Sequence, residues 1–300
     1  MATIYTQADS NIRKTWILIT GFLLFIIAIG WLFSWLLDNN IILIVAVVIS
    51  IVQSFISYWY SDKIVLSMSH AKLIEKKDNQ ELYRIVENLS ITAGLQVPKI
   101  YIINESQPNA FATGRDEKHA VVAMTRGLLE KLDRPELEGV IAHELSHIGN
   151  KDMLLQTAVV ILAGVVALLS NFFLRMSFFG GGRRRGSRDS GGALLIVVGI
   201  LAAILAPLAA TLLRLAISRK REFLADANGA LLTRFPEGLA RALEKISQDS
   251  NTLSVANNST AHLYISNPLK GRQRKNRFAK LFLTHPPTED RVKKLRKFSI

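Results

Sequence analysis

The stretch VIAHELSHIGNKDMLLQTAVVILAGVVALL, Val140–Leu169, joins two patterns that belong to different environments. Its first half contains H-E-x-x-H, which on a helix places two imidazoles on one face. Its second half is an uncharged apolar run typical of a membrane-spanning helix. The stretch therefore predicts a metal-binding helix that leads directly into a membrane span.

The apolar residues of the whole chain are concentrated in four runs, although the hydrophobic fraction of 49% is close to that of soluble proteins. At about 1.5 Å per helical residue, each run can cross a hydrocarbon core of about 30 Å. The first run is too long for a cleaved signal peptide and lacks an A-x-A site, so we expect it to be retained. We therefore predict a multi-pass α-helical membrane protein. The runs cover residues 16–37, 41–60, 153–174 and 193–217.

The basic residues predict the orientation of the first two runs. Arg13 and Lys14 precede the first run, Lys63 follows the second, and the turn at residues 38–40 carries no base. Since Lys and Arg near span ends favour the cytoplasmic side, both ends of this hairpin are predicted to be cytoplasmic. The loop after residue 174 is rich in arginine, which leaves two topologies open for the second pair: a full crossing or a shallow re-entrant hairpin. Either one returns the chain to the same side.

The net charge of +13 is explained by bases that flank the apolar runs, where they meet anionic lipid headgroups. A groove that follows nucleic-acid phosphates would need these charges on one face, so we predict binding to a lipid bilayer and no binding to nucleic acid. The chain has no cysteine, which excludes disulfides, a thiolate nucleophile and cysteine-ligated zinc.

His143 and His147 are four residues apart, so their imidazoles can share one tetrahedral zinc ion on the same helix face. Glu144 can reach water beside the metal without coordinating it, as a general base requires. Zinc needs a third protein ligand on the same side of the membrane. Glu222 and Asp226 lie one helical turn apart just after the fourth run, so Glu222 is placed to coordinate and Asp226 to accept a hydrogen bond from a ligand histidine.

Outside the apolar runs the sequence predicts a small α+β domain. Gln80–Ala93 has apolar residues on one helical face and is followed by Gly94 as a stop. Asp133 is placed to cap the helix that carries the His pair, with Pro135 in its first turn. A further helix is predicted over residues 125–132, and three short strands are predicted over residues 99–103, 110–113 and 120–124.

The sequence resembles the HtpX proteases, membrane-embedded zinc metallopeptidases that are related to the CAAX prenyl proteases. The resemblance covers the whole chain and rests on the two N-terminal spans and four motifs. It implies one Zn²⁺ per chain on His143, His147 and Glu222, with Glu144 as general base. The motifs are PNAFATG at Pro108–Gly114, HELSHIGNKD at His143–Asp152, REFLADANGA at Arg221–Ala230 and THPPTEDR at Thr284–Arg291.

The resemblance also implies roles that residue spacing does not reveal. His285 and Arg291 would stabilise the oxyanion of the tetrahedral intermediate. An edge strand beside the cleft would hold an extended polypeptide substrate by backbone hydrogen bonds. The expected location is the plasma membrane, where the enzyme would degrade misfolded or damaged membrane proteins as part of a stress response. The substrate-binding residues are Asn109, Ala110, Phe111 and Ala112.

Together these observations predict a multi-pass α-helical membrane protein with a mainly α-helical, zincin-like α+β catalytic domain containing a small three-stranded sheet. The expected domains are an N-terminal transmembrane hairpin (1–60), a first cytoplasmic catalytic part (61–152), a second hydrophobic hairpin (153–217) and a second cytoplasmic catalytic part (218–300). If the helices on either side of the second hairpin continue straight from their spans, the three ligands rise to a common height above the membrane.

Three other functions are compatible with parts of the pattern. An intramembrane protease would carry H-E-x-x-H inside a span, but Asp133, Arg134, Glu136 and Glu138 make the preceding segment too polar for lipid. A catalytically inert scaffold held together by zinc would not need Glu144. An ion transporter would need ionisable residues deep inside its spans, which are nearly free of them.

Overall fold

The structure is a computed structural model. It describes residues 4–36, 38–180, 200, 205, 218–256, 260–268 and 286–298. Among these residues, three helices are long and apolar enough to cross a membrane: Asp9–Leu36, Asn40–Trp59 and Asp152–Asn171. The loop with the arginines and nearly all of the fourth predicted run, 193–217, lie outside the described residues.

The first two helices, α1 (Ile4–Leu36) and α2 (Asn40–Trp59), form a tight hairpin. Asn39 caps α2 by accepting a hydrogen bond from the backbone N–H of Ile41. A side chain on Gly30 would overlap Ala46, so the small residues let the two backbones approach closely. The first two predicted apolar runs therefore lie in these two paired helices; for the first run this holds as far as residue 36.

Aromatic side chains lie at both ends of this hairpin. Trp16 stacks on Tyr58 at one end, with ring centroids 5.3 Å apart, and Trp31 and Trp35 are exposed at the other end. Tryptophan and tyrosine prefer the membrane–water interface. The rise from Trp16 to Trp35 is about 28 Å along a helix, close to the thickness of a hydrocarbon core. This spacing predicts that the part of α1 before Trp16 extends beyond the apolar layer.

A short helix, α3 (Ser61–Met68), leads into a mixed sheet of four strands in the order β1-β2-β4-β3. β2 and β4 are parallel, and the other two pairs are antiparallel. The prediction of three strands was wrong in number, because the sequence has no signal for β1: it is two exposed residues paired with β2 at one edge. The strands are β1 (Lys72–Leu73), β2 (Lys99–Ile103), β3 (Ala110–Thr113) and β4 (Val121–Thr125).

The helices around the sheet match their sequence signals. α4 (Gln80–Ala93) ends at Gly94, whose φ of 68° is the left-handed conformation that glycine adopts without strain. A short 3₁₀ helix covers Glu117–His119, and α5 (Arg126–Lys131) follows β4. α6 (Arg134–Gly149) carries the His pair and begins with the predicted cap. Its first turn forms a full capping box, in which the Asp133 side chain accepts from the Glu136 N–H and the Glu136 side chain accepts from the Asp133 N–H.

α6 does not continue straight into the third apolar helix, α7 (Asp152–Gly180). Lys151 has a φ of 54°, which no helical residue adopts, and the chain turns there. α8 (Arg219–Thr233) likewise begins anew after Ser218, whose backbone is extended. The expectation that both helices run straight from their spans is therefore wrong for α6, and for α8 the preceding run lies outside the described residues.

α7 is shielded by protein much more than the first two spans. The most apolar window of α7 is 76% buried, against 28% for α1 and 11% for α2. α7 packs against α1 through a cluster that includes Phe22 and Phe33 from α1 and Leu155, Val159 and Leu162 from α7. α7 therefore extends the membrane hairpin into a three-helix arrangement and anchors the metal-binding helix to it.

α6 lies at the centre of the extramembrane core, between the sheet, α4, α8 and a further helix, α9 (Pro236–Gln248). The last helix, α10 (Thr288–Arg296), packs against α8 and α9. Gly229 of α8 allows a close approach to α6, because a Cβ at this position would lie 3.0 Å from the backbone nitrogen of His143. The core residues contributed by α6 are Leu137, Val140, Ile141, Ala142, Leu145 and Ile148.

Candidate metal centre

The two histidines of α6 face the same point. His143 Nε2 lies 3.2 Å from His147 Nε2, and both side chains are buried. The spacing of four residues brings the rings together, as the sequence predicts. Glu222 of α8 approaches the same point, with its carboxylate oxygens 3.6 Å from His147 Nε2 and 3.8 Å from His143 Nε2.

These three side chains could hold a metal ion, since their ligand atoms all lie within 4.8 Å of one another. Ligand atoms around a tetrahedral zinc ion, at bond lengths near 2.0 Å, are separated by roughly 3.3 Å. The separations of 3.2, 3.6 and 3.8 Å are close to this value. Two imidazole nitrogens and one carboxylate suit zinc, and three protein ligands leave one position open for water.

A carboxylate orients each ligand histidine from behind. His143 Nδ1 lies 3.0 Å from Asp226 Oδ1, and His147 Nδ1 lies 3.0 Å from Asp152 Oδ2. When the Nδ1–H groups donate to these carboxylates, the Nε2 atoms carry lone pairs that point at each other. Two such lone pairs 3.2 Å apart repel unless a proton or a cation lies between them, so the arrangement fits a metal ion.

Arg291 of α10 holds Asp226 in place. Its Nε and Nη2 donate to the two carboxylate oxygens over 2.8 and 2.6 Å, and Nη1 donates to the backbone carbonyl of Ile265 over 3.0 Å. Nη2 also lies 3.4 Å from His143 Nδ1. This bidentate pair is fully buried, so Arg291 contributes to the orientation of His143 through Asp226.

The protonation of the two histidines differs because their surroundings differ. Burial lowers the pKa of His143 to about 4, and the hydrogen bond to Asp226 offsets this only in part. Burial also acts to lower the pKa of His147, but the hydrogen bond to Asp152 and the charge of Glu222 outweigh it and raise the pKa to about 9. Without a metal, His147 therefore carries a proton at neutral pH and His143 does not.

The pKa values of the Glu144 and Asp226 carboxyls are also shifted in opposite directions. Burial raises the pKa of Glu144 to about 7, which is the value expected for a group that exchanges protons near neutrality. Burial also acts to raise the pKa of Asp226, but the positive charge of Arg291 and the hydrogen bond from His143 lower it to about 2. Asp226 therefore stays ionised, and Glu144 can take up or release a proton.

The predicted substrate strand lies beside Glu144. β3 is the sheet edge next to α6, and the backbone of Ala112 is near enough to the Glu144 carboxyl to act to lower its pKa. The backbone carbonyl of Ala110 also points to this edge, where it accepts from the N–H of Ile265 over 2.9 Å. The Asn109 side chain donates to the Ser266 carbonyl over 3.0 Å and accepts from its N–H over 3.3 Å. In this structure residues 260–268 therefore cover β3.

Six of the predicted site residues converge around one point: His143, Glu144, His147, Glu222, Asp226 and Arg291. The four predicted substrate residues, Asn109, Ala110, Phe111 and Ala112, are buried in and next to β3. His285 lies outside the described residues.

The sequence did not predict the roles of three residues that support the ligand His147: Asp152, Asn11 and Arg221. Asp152 follows the turn at Lys151, so its position five residues after His147 gives no helical signal. Asn11 of α1 donates to Asp152 Oδ1 over 2.6 Å, and Arg221 Nε lies 3.5 Å from the same oxygen. Arg221 could have been noticed because it directly precedes Glu222, but nothing in the sequence connects Asn11 to the site.

Comparisons with known proteins agree with the motifs. Residues 76–299 match the family model described as peptidase family M48. The chain is 45% identical over 301 residues to the protein named protease HtpX homolog of Thermoanaerobacter pseudethanolicus, covering 99% of both chains. It is 46% identical over 296 residues to the protease HtpX homolog of Dictyoglomus thermophilum, covering 98% of this chain and 94% of the other.

A solved structure shares the fold. The crystal structure of S. mikatae Ste24p superposes with a TM-score of 0.50 at 19% identity, covering 98% of this chain and 67% of Ste24p. The resemblance to the HtpX proteases that the motifs predict is confirmed by these comparisons.

Proposed function

The chain belongs to peptidase family M48 and is a membrane-bound metalloprotease, and on that premise we propose that it is a zinc-dependent endopeptidase of membrane-protein quality control. It would cleave misfolded or damaged membrane proteins at the cytoplasmic face of the plasma membrane. The observation that carries the proposal is the buried convergence of His143 Nε2, His147 Nε2 and the Glu222 carboxylate, next to helices able to span a membrane.

His143, His147 and Glu222 would hold the metal. Zinc, when bound, supplies a Lewis acid that polarises a peptide carbonyl and makes water more acidic. Glu144 takes a proton from the attacking water and returns it to the amine nitrogen as the peptide bond breaks. Burial raises the pKa of this carboxyl in the metal-free protein, so Glu144 accepts a proton more readily than an exposed glutamate would.

The substrate would bind as an extended strand along β3. Ala110 and Ala112 direct their backbone polar groups toward this edge, which is the geometry that strand addition uses. Because Ile265 already donates to the Ala110 carbonyl, a substrate would first have to displace residues 260–268 from this position. Arg291, together with His285, would stabilise the oxyanion, in addition to the contact of Arg291 with Asp226.

The location of the site favours substrates that come from the membrane. The contact between Asn11 and Asp152 places the site near the segment of α1 that precedes Trp16. That position lies about 7.5 Å along the helix from the aromatic ring that marks the interface. The His pair lies on α6 and outside the third candidate span, Asp152–Asn171, which argues against chemistry inside a span.

We propose that the chain has the domain organisation that its sequence predicts. Residues 1–60 would form the first membrane hairpin and residues 153–217 the second hydrophobic segment. Residues 61–152 and 218–300 would form one cytoplasmic catalytic unit. The core shared by α4, α6, α8 and α9 supports that unit, since the two segments that contribute these helices are packed together.

The glutamate role is tested with Glu144→Gln, which keeps the size of the side chain and removes its basicity. We expect the variant to bind one zinc ion per chain with near wild-type affinity and to lose cleavage of an unfolded membrane protein in detergent by at least about a hundredfold, within the range that general bases contribute. Wild-type cleavage should stop on addition of a chelator and return with zinc.

Glu138→Gln is the matched control, because Glu138 lies on the same helix and pairs with Arg134 at the surface. It should cleave at the wild-type rate. Retained cleavage by Glu144→Gln would overturn the base assignment, and cleavage that persists in the chelator would overturn the metal mechanism.

A further inference from the structure

Asn11 is a buried polar residue of α1, and both its amide nitrogen and its amide oxygen are hydrogen-bonded. Nδ2 donates to Asp152 Oδ1 over 2.6 Å and to the backbone carbonyl of Asn150 over 3.1 Å. Oδ1 accepts from Arg221 Nη1 over 3.2 Å. The side chain is completely shielded from solvent, so each of these contacts replaces a hydrogen bond to water.

Only a short amide satisfies these three partners together. Two of them are acceptors, a carboxylate and a carbonyl, and the third is a cationic donor. Aspartate could accept from Arg221 but could not donate to the two acceptors, and its charge would face Asp152. Leucine has a similar volume and makes no hydrogen bond. Asn11 therefore matches this site by chemistry as well as by size.

The three partners lie on the elements that carry the metal centre. Asn150 caps the C-terminus of α6, the helix of the two histidines. Asp152 begins α7 and accepts from His147 Nδ1. Arg221 precedes Glu222 on α8. One amide from α1 thus joins the ends of the three helices whose relative positions set the distances among the ligand atoms.

The Asp152 carboxylate transmits the contact to the metal site. One oxygen faces His147 Nδ1 at 3.0 Å, and the other faces Asn11 Nδ2 at 2.6 Å, with Arg221 Nε at 3.5 Å from the same atom. If Asn11 no longer donates, the carboxylate loses its shortest hydrogen bond and is free to turn toward Arg221. His147 then loses the partner that fixes its ring and keeps the Nε2 lone pair directed at the metal.

We propose that Asn11 is a positioning residue for the metal centre: it ties the N-terminal membrane helix to Asp152 and thereby holds His147 in its metal-binding orientation. The inference rests on the proposed zinc function and adds that the site is assembled only with α1 in place. The segment of α1 before Trp16 is then part of the catalytic unit in addition to its role as an anchor.

The test measures zinc affinity of the full-length protein in detergent, by competition with a chromogenic chelator. Asn11→Leu should bind zinc about tenfold more weakly than wild type, at the lower end of the range for groups that orient metal ligands. Asn11→Asp should lose at least as much. With Co²⁺ in place of zinc, both variants should show altered visible absorption, which reports ligand geometry independently of activity.

Thr15→Val is the matched control, since Thr15 is equally buried one turn along α1 and its hydroxyl donates to the Asn11 backbone carbonyl. It should keep wild-type zinc affinity and the wild-type Co²⁺ spectrum. A double-mutant cycle adds a readout that a purely structural role would not move: Asn11→Leu combined with Asp152→Asn should weaken zinc binding little more than Asp152→Asn alone.

The outcomes separate the two proposals. If wild type binds no zinc, the proposed function fails. If wild type binds zinc and both Asn11 variants bind it equally well, or if the losses from the Asn11 and Asp152 variants simply add, the positioning role is overturned. If Asn11→Leu does not fold, the Asn11→Asp variant, which keeps the side-chain size, decides by the same measurements.

Discussion

Replacing Gly229 by alanine tests how closely α8 must pack against the metal-binding helix. A Cβ at this position would lie 3.0 Å from the backbone nitrogen of His143, 3.2 Å from its Cα and 3.3 Å from the backbone carbon of Ala142. Favourable contacts between such atoms need about 3.5 Å or more, so the helices would have to separate by roughly 0.5 Å. All three contacts are backbone atoms, which cannot rotate away.

The shift would reach the metal centre because Glu222 lies two turns earlier on the same helix. Its carboxylate is already 3.6 and 3.8 Å from the two imidazole nitrogens, somewhat more than the roughly 3.3 Å of a zinc tetrahedron. A misplacement of 1 Å can cost about a hundredfold in rate, so a shift of about half that size should cost about tenfold in zinc affinity and in cleavage.

The stability change should be smaller than the functional one. Alanine is favoured over glycine inside a helix by up to about 1 kcal/mol, whereas the overlap costs about 1–3 kcal/mol. The net loss should therefore be about 0–2 kcal/mol, measured by thermal unfolding of the metal-free protein. Zinc affinity is measured by chelator competition, and the initial rate is measured on an unfolded membrane protein.

Gly139→Ala provides the control on α6 itself. Its Cβ would lie 2.7 and 2.8 Å from backbone atoms of Leu239, so it strains the packing against α9, which carries no ligand. This variant should be at least as destabilised as Gly229→Ala and should keep its zinc affinity at temperatures where it is folded. Wild-type zinc affinity in Gly229→Ala, or an equal loss in both variants, would refute the reasoning.

Two further predictions follow from the charges of the site. The pKa of His147 is raised to about 9, so zinc must displace a proton from this imidazole in the metal-free protein. The apparent zinc affinity should therefore rise about tenfold per pH unit between pH 7 and pH 9 and stay constant above pH 9. Calorimetry in buffers of different ionisation enthalpy should detect the release of close to one proton at pH 7, and release of none would contradict the assignment. Asp226→Asn neutralises the main partner of the buried Arg291, so it should destabilise the protein by about 3–5 kcal/mol and weaken zinc binding. The control, Glu237→Gln in the exposed pair with Arg296, should change neither property. Equal losses of stability in both variants, measured by calorimetric unfolding, would show that burial of the pair is unimportant.

Features that depend on short stretches of chain were predictable. The four-residue spacing of His143 and His147 predicts that they share a face, and their Nε2 atoms do lie 3.2 Å apart. The Asp133 cap and the Gly94 stop lie at the predicted helix ends. Glu222 and Asp226 were found because a helical turn separates them and both meet the His pair.

Features that depend on how distant segments meet were not predictable. β1 has only two exposed residues, so it carries no alternation of apolar and polar positions, and its pairing with β2 alone defines it. The turn at Lys151 interrupts what the sequence presents as one continuous helical pattern. The cover that residues 260–268 place over β3 is likewise visible only in tertiary contacts, those of Ile265 with Ala110 and of Ser266 with Asn109.

The sequence by itself therefore determined the chemistry of the site and its nearness to membrane helices, because helical periodicity and the length of apolar runs are local properties. Only the tertiary structure decided what orients that chemistry. Asp152 is aimed at His147 by a turn in the chain, and Asn11 reaches Asp152 across a separation of 141 residues. Hydrogen bonds of this kind depend on the packing of whole helices, and an asparagine before an apolar run does not reveal its partners until those helices are in place.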